Sequence, residues 1–226
     1  MTKYSSLFLD IDNTLLDFRK AEAVAIRKVL KDFSLPFDDQ TVKLYSRIND
    51  SLWKRFEKGE IKKSEIFESR FKILLERLNL SGNVSKISNA YLQNLSEGYF
   101  TVEGAKELLE YLKNKGYKLY ATTNGMALTQ FKRIEKSGIK PYFDKIFVSE
   151  EVGFQKPQKE YYDYCFLNIE EKDKSKVLII GDSQSSDILG GKNSGIDTCW
   201  FNIYKEEKII NPDYTVYTLE ELKTIL

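Results

Sequence analysis

The sequence predicts an α/β fold built on a mostly parallel sheet, and three observations carry the prediction. After Thr101, short apolar runs alternate with amphipathic stretches, and parallel neighbours need a crossover that is usually helical. Val177-Leu178-Ile179-Ile180 is apolar at every position, as a strand covered on both faces must be. The stretch from Phe18 to about Glu97 shows helical periodicity and no convincing strand, so one all-helical segment interrupts the alternation directly after the first strand.

Residues 5–9 form a short apolar run that ends in Asp10 and Asp12, the pattern of a buried strand running into a loop. Ala21, Val24, Ala25, Val29 and Leu30 recur at three- and four-residue steps, as do Phe67, Phe71, Leu74, Leu75 and Leu78, which predicts helices. Residues 104–115 read as a helix, 117–122 as a strand, 126–137 as a helix closed by Gly138, and 145–149 as a short strand. Pro157 suits a first helical turn, where a missing N–H costs nothing, and places a helix over 158–167. The 177–180 strand runs into Gly181-Asp182, a helix over 184–194 stops at Gly195, 197–202 and 213–216 read as strands, and 219–226 reads as a terminal helix. The expected organisation is an α/β core of residues 1–16 and 97–226 with helices on both faces, and an inserted all-helical domain over 17–96.

Composition excludes several function classes. Lys+Arg 35 against Asp+Glu 34 leaves a formal charge of +1, without the basic excess that drives counterion-release binding, so no nucleic acid polymer is expected as partner. The chain has no histidine, which removes Ser-His-Asp and Cys-His catalysis and His-ligated zinc. Cys165 and Cys199 fit buried small apolar residues in a reducing compartment. Leu7-Phe8-Leu9 is cut by Asp10 and Asp12 before a signal-peptide core is complete, and no segment approaches the uncharged length of a membrane span. A cytoplasmic protein with no membrane partner is expected.

Four polar clusters fall at predicted strand ends or helix starts, where open parallel sheets gather ligand sites. Asp10-Ile11-Asp12-Asn13-Thr14 follows the first strand and Gly181-Asp182-Ser183-Gln184-Ser185-Ser186-Asp187 the most apolar one. Two acidic loops supply hard oxygen ligands suited to Mg²⁺, which takes one or two protein carboxylates plus substrate phosphate. Thr122-Thr123-Asn124-Gly125 follows the second strand, where a hydroxyl and free N–H groups can hold phosphate oxygens. Gly153-Phe154-Gln155-Lys156-Pro157 sets a lysine ahead of a helix whose N-terminus favours anions. Singly, each has an ordinary explanation as a turn, a helix cap or a solvated charge. Jointly, the order carboxylates, hydroxyl, lysine, carboxylates is far more specific.

In that order the chain resembles the haloacid-dehalogenase-type phosphohydrolases, whose four motifs match residues 10–14, Thr123, Lys156 and residues 182–187. The resemblance implies a Rossmann-like core, with the helical insert as the family's small cap. It implies Asp10 as the nucleophile that forms an aspartyl-phosphate, and Asp12 as the acid that protonates the leaving oxygen and then the base that activates water. Mg²⁺ would be held by the Asp10 side chain, the Asp12 backbone carbonyl and the Asp182 side chain. Thr123, Asn124 and Lys156 would hold the phosphoryl oxygens, with Asp187 orienting Lys156 or a metal-bound water and Thr14 supporting the loop. Dehalogenating members lack the second Asp, so Asp12 favours phosphate esters; a P-type pump would carry Lys and Gly where Ile11 and Asn13 stand.

Asn49, Trp53, Glu57-Lys58-Gly59 and Arg70-Phe71, with Gln130, Ser137-Gly138 and Tyr142-Phe143, are similar to the pattern of bacterial pyrimidine-type 5′-nucleotidases. The implied activity is a Mg²⁺-dependent phosphomonoesterase acting on a small phosphorylated metabolite, a nucleoside 5′-monophosphate with pyrimidine preferred. The alternatives are a sugar-phosphate or phosphoglycolate phosphatase or a phosphomutase on the same core, and, from another class, a non-catalytic phosphate-sensing or protein-binding relative. Asn49 and Trp53 are the candidates to contact the leaving group, Trp53 offering a flat surface for a base. Helical spacing also allows Trp53, Phe56 and Phe71 as core residues of the insert, the preferred reading for Phe71.

Overall fold

The apolar run at the start of the chain is a central strand of a six-stranded sheet in a computed structural model that describes residues 3–226; residues 1 and 2 of the predicted 1–16 segment lie outside the described residues. In chain order, β1 (Ser6–Leu9) is followed by four helices, α1 (Phe18–Asp32), α2 (Asp39–Glu57), α3 (Lys63–Leu78) and α4 (Val84–Leu95). Then come α5 (Ala105–Asn114), β2 (Lys118–Thr123), α6 (Ala127–Lys136), β3 (Lys145–Val148), α7 (Ser149–Val152), α8 (Lys159–Leu167) and β4 (Val177–Gly181). A π-helical turn over Gln184–Ile188 leads into α9 (Leu189–Ser194), and β5 (Asp197–Phe201), β6 (Tyr214–Val216) and a 3₁₀ turn over Glu220–Thr224 complete the chain. Contacts divide it into two compact units, Phe18–Tyr99 and Met1–Asp17 with Phe100–Leu226.

The sheet order is β3-β2-β1-β4-β5-β6 and every pairing is parallel, which is the α/β arrangement the alternation predicts. Side chains on successive strand residues point to opposite faces. Leu7 and Leu9 therefore join Leu119, Leu178 and Ile180 under Leu108, Leu112 and Ile134, while Phe8 joins Tyr120, Phe147 and Ile179 under Tyr161, Tyr162 and Phe166. Cys165 and Cys199 are free and buried. Leu9 stands opposite Ala121 on one side and Ile180 on the other, so the loops after β1, β2 and β4 leave the sheet at one edge, where its order reverses.

Three local expectations are corrected. Pro157 follows a cis peptide bond and precedes α8, whose N-cap is Gln158, instead of occupying its first turn. The chain turns into α7 at Ser149, where the sequence predicts that the strand continues. The terminal segment is a short 3₁₀ turn rather than a helix to Leu226.

Within the helical unit, polar groups on three helices meet in the core. Glu22 accepts hydrogen bonds from Asn49 Nδ2 at 2.9 Å and Ser46 Oγ at 2.5 Å, and Arg70 Nη1 donates to Asn49 Oδ1 at 3.2 Å with its guanidinium 4.4 Å from the Tyr91 ring centroid. Asn49, expected to contact a leaving group, has no exposed surface and commits both ends of its amide to Glu22 and Arg70, so it is a strut tying α1, α2 and α3 together. Trp53 is half-buried and stands edge-on to Phe56 beside Leu52 and Ile66. Phe71 is fully buried.

Burial pushes Glu22 up to about 7, against the opposing hydrogen bond from Ser46. A carboxyl raised in the fold keeps a proton that the unfolded chain has released, so its contribution is lost as pH rises from about 4.5 towards 7 and is flat above that. Each tenfold change in proton affinity is worth about 1.4 kcal/mol, so the effect reaches several degrees in a chain of this size. Between pH 5 and pH 8 the melting temperature of the wild type is expected to fall further than that of Glu22→Gln, with the variant the more stable at pH 8. Parallel pH profiles in scanning calorimetry would show that Glu22 is ionised in the fold.

Candidate active site

Asp10 is seated at the end of β1 by its backbone N–H, which donates to Ile180 O of β4 at 2.9 Å. Its buried carboxylate accepts from Lys156 Nζ at 2.6 Å and from Thr14 Oγ1 at 3.1 Å. The Thr14 contact is possible because the chain turns tightly after Asp12: Asn13 takes a left-handed conformation at φ 58°, which Asn tolerates better than most residues, and Leu15 and Leu16 N–H groups both return to Ile11 O.

Lys156 is 1% exposed and also donates to Asp187 Oδ1 at 2.7 Å and to Thr122 O at 3.0 Å. Asn124 accepts from the Lys156 N–H and donates to the Lys156 carbonyl, each at 2.9 Å. Its side-chain amide is thereby committed to clamping the lysine loop, so a contact of Asn124 with phosphate would be made by its backbone N–H. Thr123 Oγ1 accepts from Gln130 Nε2 at 2.7 Å and Gly125 N at 3.0 Å, which leaves its own O–H to donate elsewhere.

Asp182 follows β4, and its carbonyl accepts from Trp200 Nε1 at 2.8 Å. Asp187 has no exposure and folds back under the strand end, where Oδ2 accepts from Ser183 N at 3.1 Å. Gly181 makes this possible, since a Cβ there would lie 2.2 Å from Asp187 Oδ2. Oxygens of Asp10, Asp182 and Asp187 all lie within 4.8 Å of one another. The Asp12 carboxylate stands apart from this cluster, accepting from Arg133 Nη1 at 2.5 Å and Gln130 Nε2 at 2.9 Å.

Three crowded carboxylates against one ammonium set the electrostatics. Burial pushes Asp10 up to about 7 even though Lys156 pulls it down, and Asp187 and Asp12 add to the rise. Burial, then Asp10 and Asp187, push Asp182 well above the usual carboxylate range. Burial opposes the charge of Lys156, but Asp10 and Asp187 outweigh it and hold the ammonium well above its ordinary value. A hard divalent cation fits this donor set, because it relieves the excess negative charge with oxygen ligands alone. Asp10 already accepts from Lys156 and Thr14, and Asp187 from Lys156 and Ser183, and oxygens of these two and of Asp182 lie close enough together to face one ion.

Sequence reasoning misses Arg133 and Trp200 altogether and marks Gln130 only as part of a family pattern. The one available signal is a spacing of three between Gln130 and Arg133 on α6, which a solvated helix face would show equally. Among the described residues, no helix is long and apolar enough to cross a membrane.

The sequence profile of the haloacid dehalogenase-like hydrolases matches residues 7–201. The magnesium-bound crystal structure of YfnB from Bacillus subtilis, described as a HAD-hydrolase, aligns with a TM-score of 0.94 at 40% identity and covers 99% of each chain. Pyrimidine 5′-nucleotidase PynA from Streptococcus pneumoniae is 38% identical over 97% of this chain and 93% of its own length. Pyrimidine 5′-nucleotidase YjjG from Escherichia coli is 34% identical over 99% of this chain and 98% of its own.

Proposed function

Because this chain belongs to the haloacid dehalogenase-like hydrolases and is a phosphatase of that family, we propose that it hydrolyses nucleoside 5′-monophosphates, pyrimidine nucleotides foremost, with Mg²⁺ as cofactor. The observation that carries the chemistry is Asp10, held by Lys156 and Thr14 beside Asp182, with a second carboxylate, Asp12, fixed separately by Gln130 and Arg133. Full-length similarity to two pyrimidine 5′-nucleotidases supports the substrate class.

In this reading an Asp10 oxygen attacks phosphorus and forms an aspartyl-phosphate while the ester oxygen leaves with a proton from Asp12. Asp12 then takes a proton from water, whose oxygen hydrolyses the aspartyl-phosphate and returns Asp10. Lys156 and the Thr123 hydroxyl offset the charge on the transferring phosphoryl oxygens. Asp10, Asp182 and the Asp12 carbonyl would hold Mg²⁺, which would supply the positive charge that lets a carboxylate approach a phosphate dianion. Asp187 keeps Lys156 in place. The helical insert, residues 17–96 by sequence, acts as the specificity domain, and Trp53 is its residue for a planar base.

Phosphate release from 5′-UMP, glucose 6-phosphate, phosphoglycolate and a small aryl phosphate tests this reading. With Mg²⁺, 5′-UMP is expected to show the highest kcat/KM of the natural esters, and chelation to abolish all turnover reversibly. Trp53→Ala should raise KM for 5′-UMP and leave the aryl ester nearly unchanged, since only uniform binding is removed. A hexose phosphate hydrolysed more efficiently than 5′-UMP would discard the nucleotide assignment and keep the phosphatase one.

A further inference from the structure

Helix α6 carries two polar side chains where an amphipathic helix of the core would hold apolar ones: Gln130 and Arg133 are each 1% exposed, next to the fully buried Ile134. Burying an amide and a guanidinium is costly unless each is hydrogen-bonded. Here they are bonded to one another, to the loop after β1 and to the last residue of β2. Arg133 Nη1 donates to Gln130 Oε1 at 3.0 Å and to Asp12 Oδ1 at 2.5 Å. Gln130 Nε2 donates to Asp12 Oδ2 at 2.9 Å and to Thr123 Oγ1 at 2.7 Å.

The Arg133 contact fixes which end of the Gln130 amide is oxygen, so its N–H groups must face Asp12 and Thr123. The start of the helix is fixed as well, by Glu150, which accepts from the Ala127 N–H at 2.9 Å. A second, independent feature clears space for the same amide. Gly125 has no Cβ, and one placed there would come within 2.6 Å of Gln130 Cγ and Cδ.

We infer that Gln130 and Arg133 are positioning residues that aim the Asp12 proton at the leaving oxygen and, through the shared amide, keep Asp12 in register with the Thr123 hydroxyl. The most exposed member of this otherwise buried network is Asp12, whose side chain is 28% exposed against 1% for Arg133. One lone pair on each Asp12 oxygen is occupied by an N–H from α6, so a proton is carried on a remaining lone pair, and its direction of delivery is set. The inference deepens the phosphatase reading and rests on the acid role given there to Asp12.

Leaving-group dependence tests it, because kcat/KM reports the steps through phosphoryl transfer to Asp10, and only a poor leaving group needs the proton in that step. Gln130→Ala, Arg133→Met, Arg133→Lys and Gly125→Ala are compared with Asp12→Asn on 4-nitrophenyl phosphate and on two alkyl esters, 5′-UMP and glycerol 3-phosphate. Gln130→Ala and Arg133→Met are expected to lose about 10²-fold in kcat/KM on whichever alkyl esters the wild type turns over, and less than about fivefold on the nitrophenyl ester. Arg133→Lys, which keeps the charge, should recover much of the alkyl-ester rate. Gly125→Ala sets a Cβ within 2.6 Å of Gln130 Cγ and Cδ and displaces the amide without removing it, so it should show the same selective loss in milder form, which covers the case that Arg133→Met fails to fold.

Equal losses on both ester types, or no loss in Gln130→Ala and Gly125→Ala, would overturn the positioning role. If Asp12→Asn is selective against alkyl esters and these variants are not, the positioning inference alone fails. If Asp12→Asn itself shows no selectivity, the acid role of Asp12 fails and the inference falls with it.

Discussion

Asp10→Asn is expected to release no measurable phosphate, a loss on the order of 10⁴-fold or more, while its folded state is as stable as the wild type or more so. The two halves of that result have separate causes. Activity disappears because an amide cannot attack phosphorus and remain a good acyl leaving group for the second step. The acidic neighbours cannot take over, since Asp12 is held by Arg133 and Gln130 and Asp187 by Lys156 and Ser183. Stability is maintained because the change removes one of three crowded carboxylates, the one that burial already pushes up to about 7, while Lys156 keeps its bond to Asp187. A group raised in this way costs stability progressively as pH rises from its ordinary value of 3.8 towards about 7, so the stability gain should be larger at pH 8 than at pH 5 in the absence of divalent cation. Freshly purified variant, assayed before deamidation, decides the matter. Near-normal phosphate release would remove Asp10 as nucleophile, and a large fall in melting temperature would show that the crowded cluster stabilises the fold.

What is legible in the sequence, and what is not, follows from how far each signal reaches along the chain. The strand run of β4 and the short run of β1 are visible because burial on both faces forces apolar residues at successive positions. The meeting of Asp10, Asp182, Asp187 and Lys156 is also legible. Parallel strands in register end at one edge, so polar clusters placed just after apolar runs converge whatever the loops do.

The network around Asp12 is not legible in the same way. Arg133 reaches Asp12 across 121 positions, and nothing local distinguishes a buried arginine on an amphipathic helix from a solvated one. The Asn124 side chain shows the same limit: nothing in its motif position points to the Lys156 backbone, 32 positions on, which the tertiary fold brings within reach of both ends of its amide. Asn49 reads as a contact residue through the family pattern alone, but Glu22 and Arg70 on neighbouring helices supply an acceptor and a donor match that only packing reveals.

Lys156→Met should be the most damaging single change to both stability and turnover. The ammonium is almost wholly buried, with Asp10 at 2.6 Å and Asp187 at 2.7 Å, and methionine of similar length leaves those carboxylates without their counter-charge. Breaking a buried ion pair from one side costs about 3–5 kcal/mol, which is a large part of the 5–15 kcal/mol typical of a domain and corresponds to roughly 6–20 °C in melting temperature. The loop itself should stay in place, because Asn124 grips the backbone of residue 156 and not its side chain.

The loss should therefore behave as missing charge. Lys156 is held above its ordinary value in the fold, so its stabilisation is fully present at neutral pH and below. In the variant, Asp10 and Asp182, already raised, become costlier to ionise as pH rises. The gap in melting temperature between wild type and Lys156→Met is expected to widen from pH 5 to pH 8 and to narrow when Mg²⁺ is added, since a divalent cation on the same carboxylates replaces the missing positive charge. Phosphate release should stay about 10²–10³-fold down even with saturating Mg²⁺, because the charge that meets the phosphoryl oxygens is gone. A variant that melts like the wild type at both pH values would show that Lys156 does not neutralise the cluster, and one that regains full activity with Mg²⁺ would show that its role is to hold the carboxylates alone.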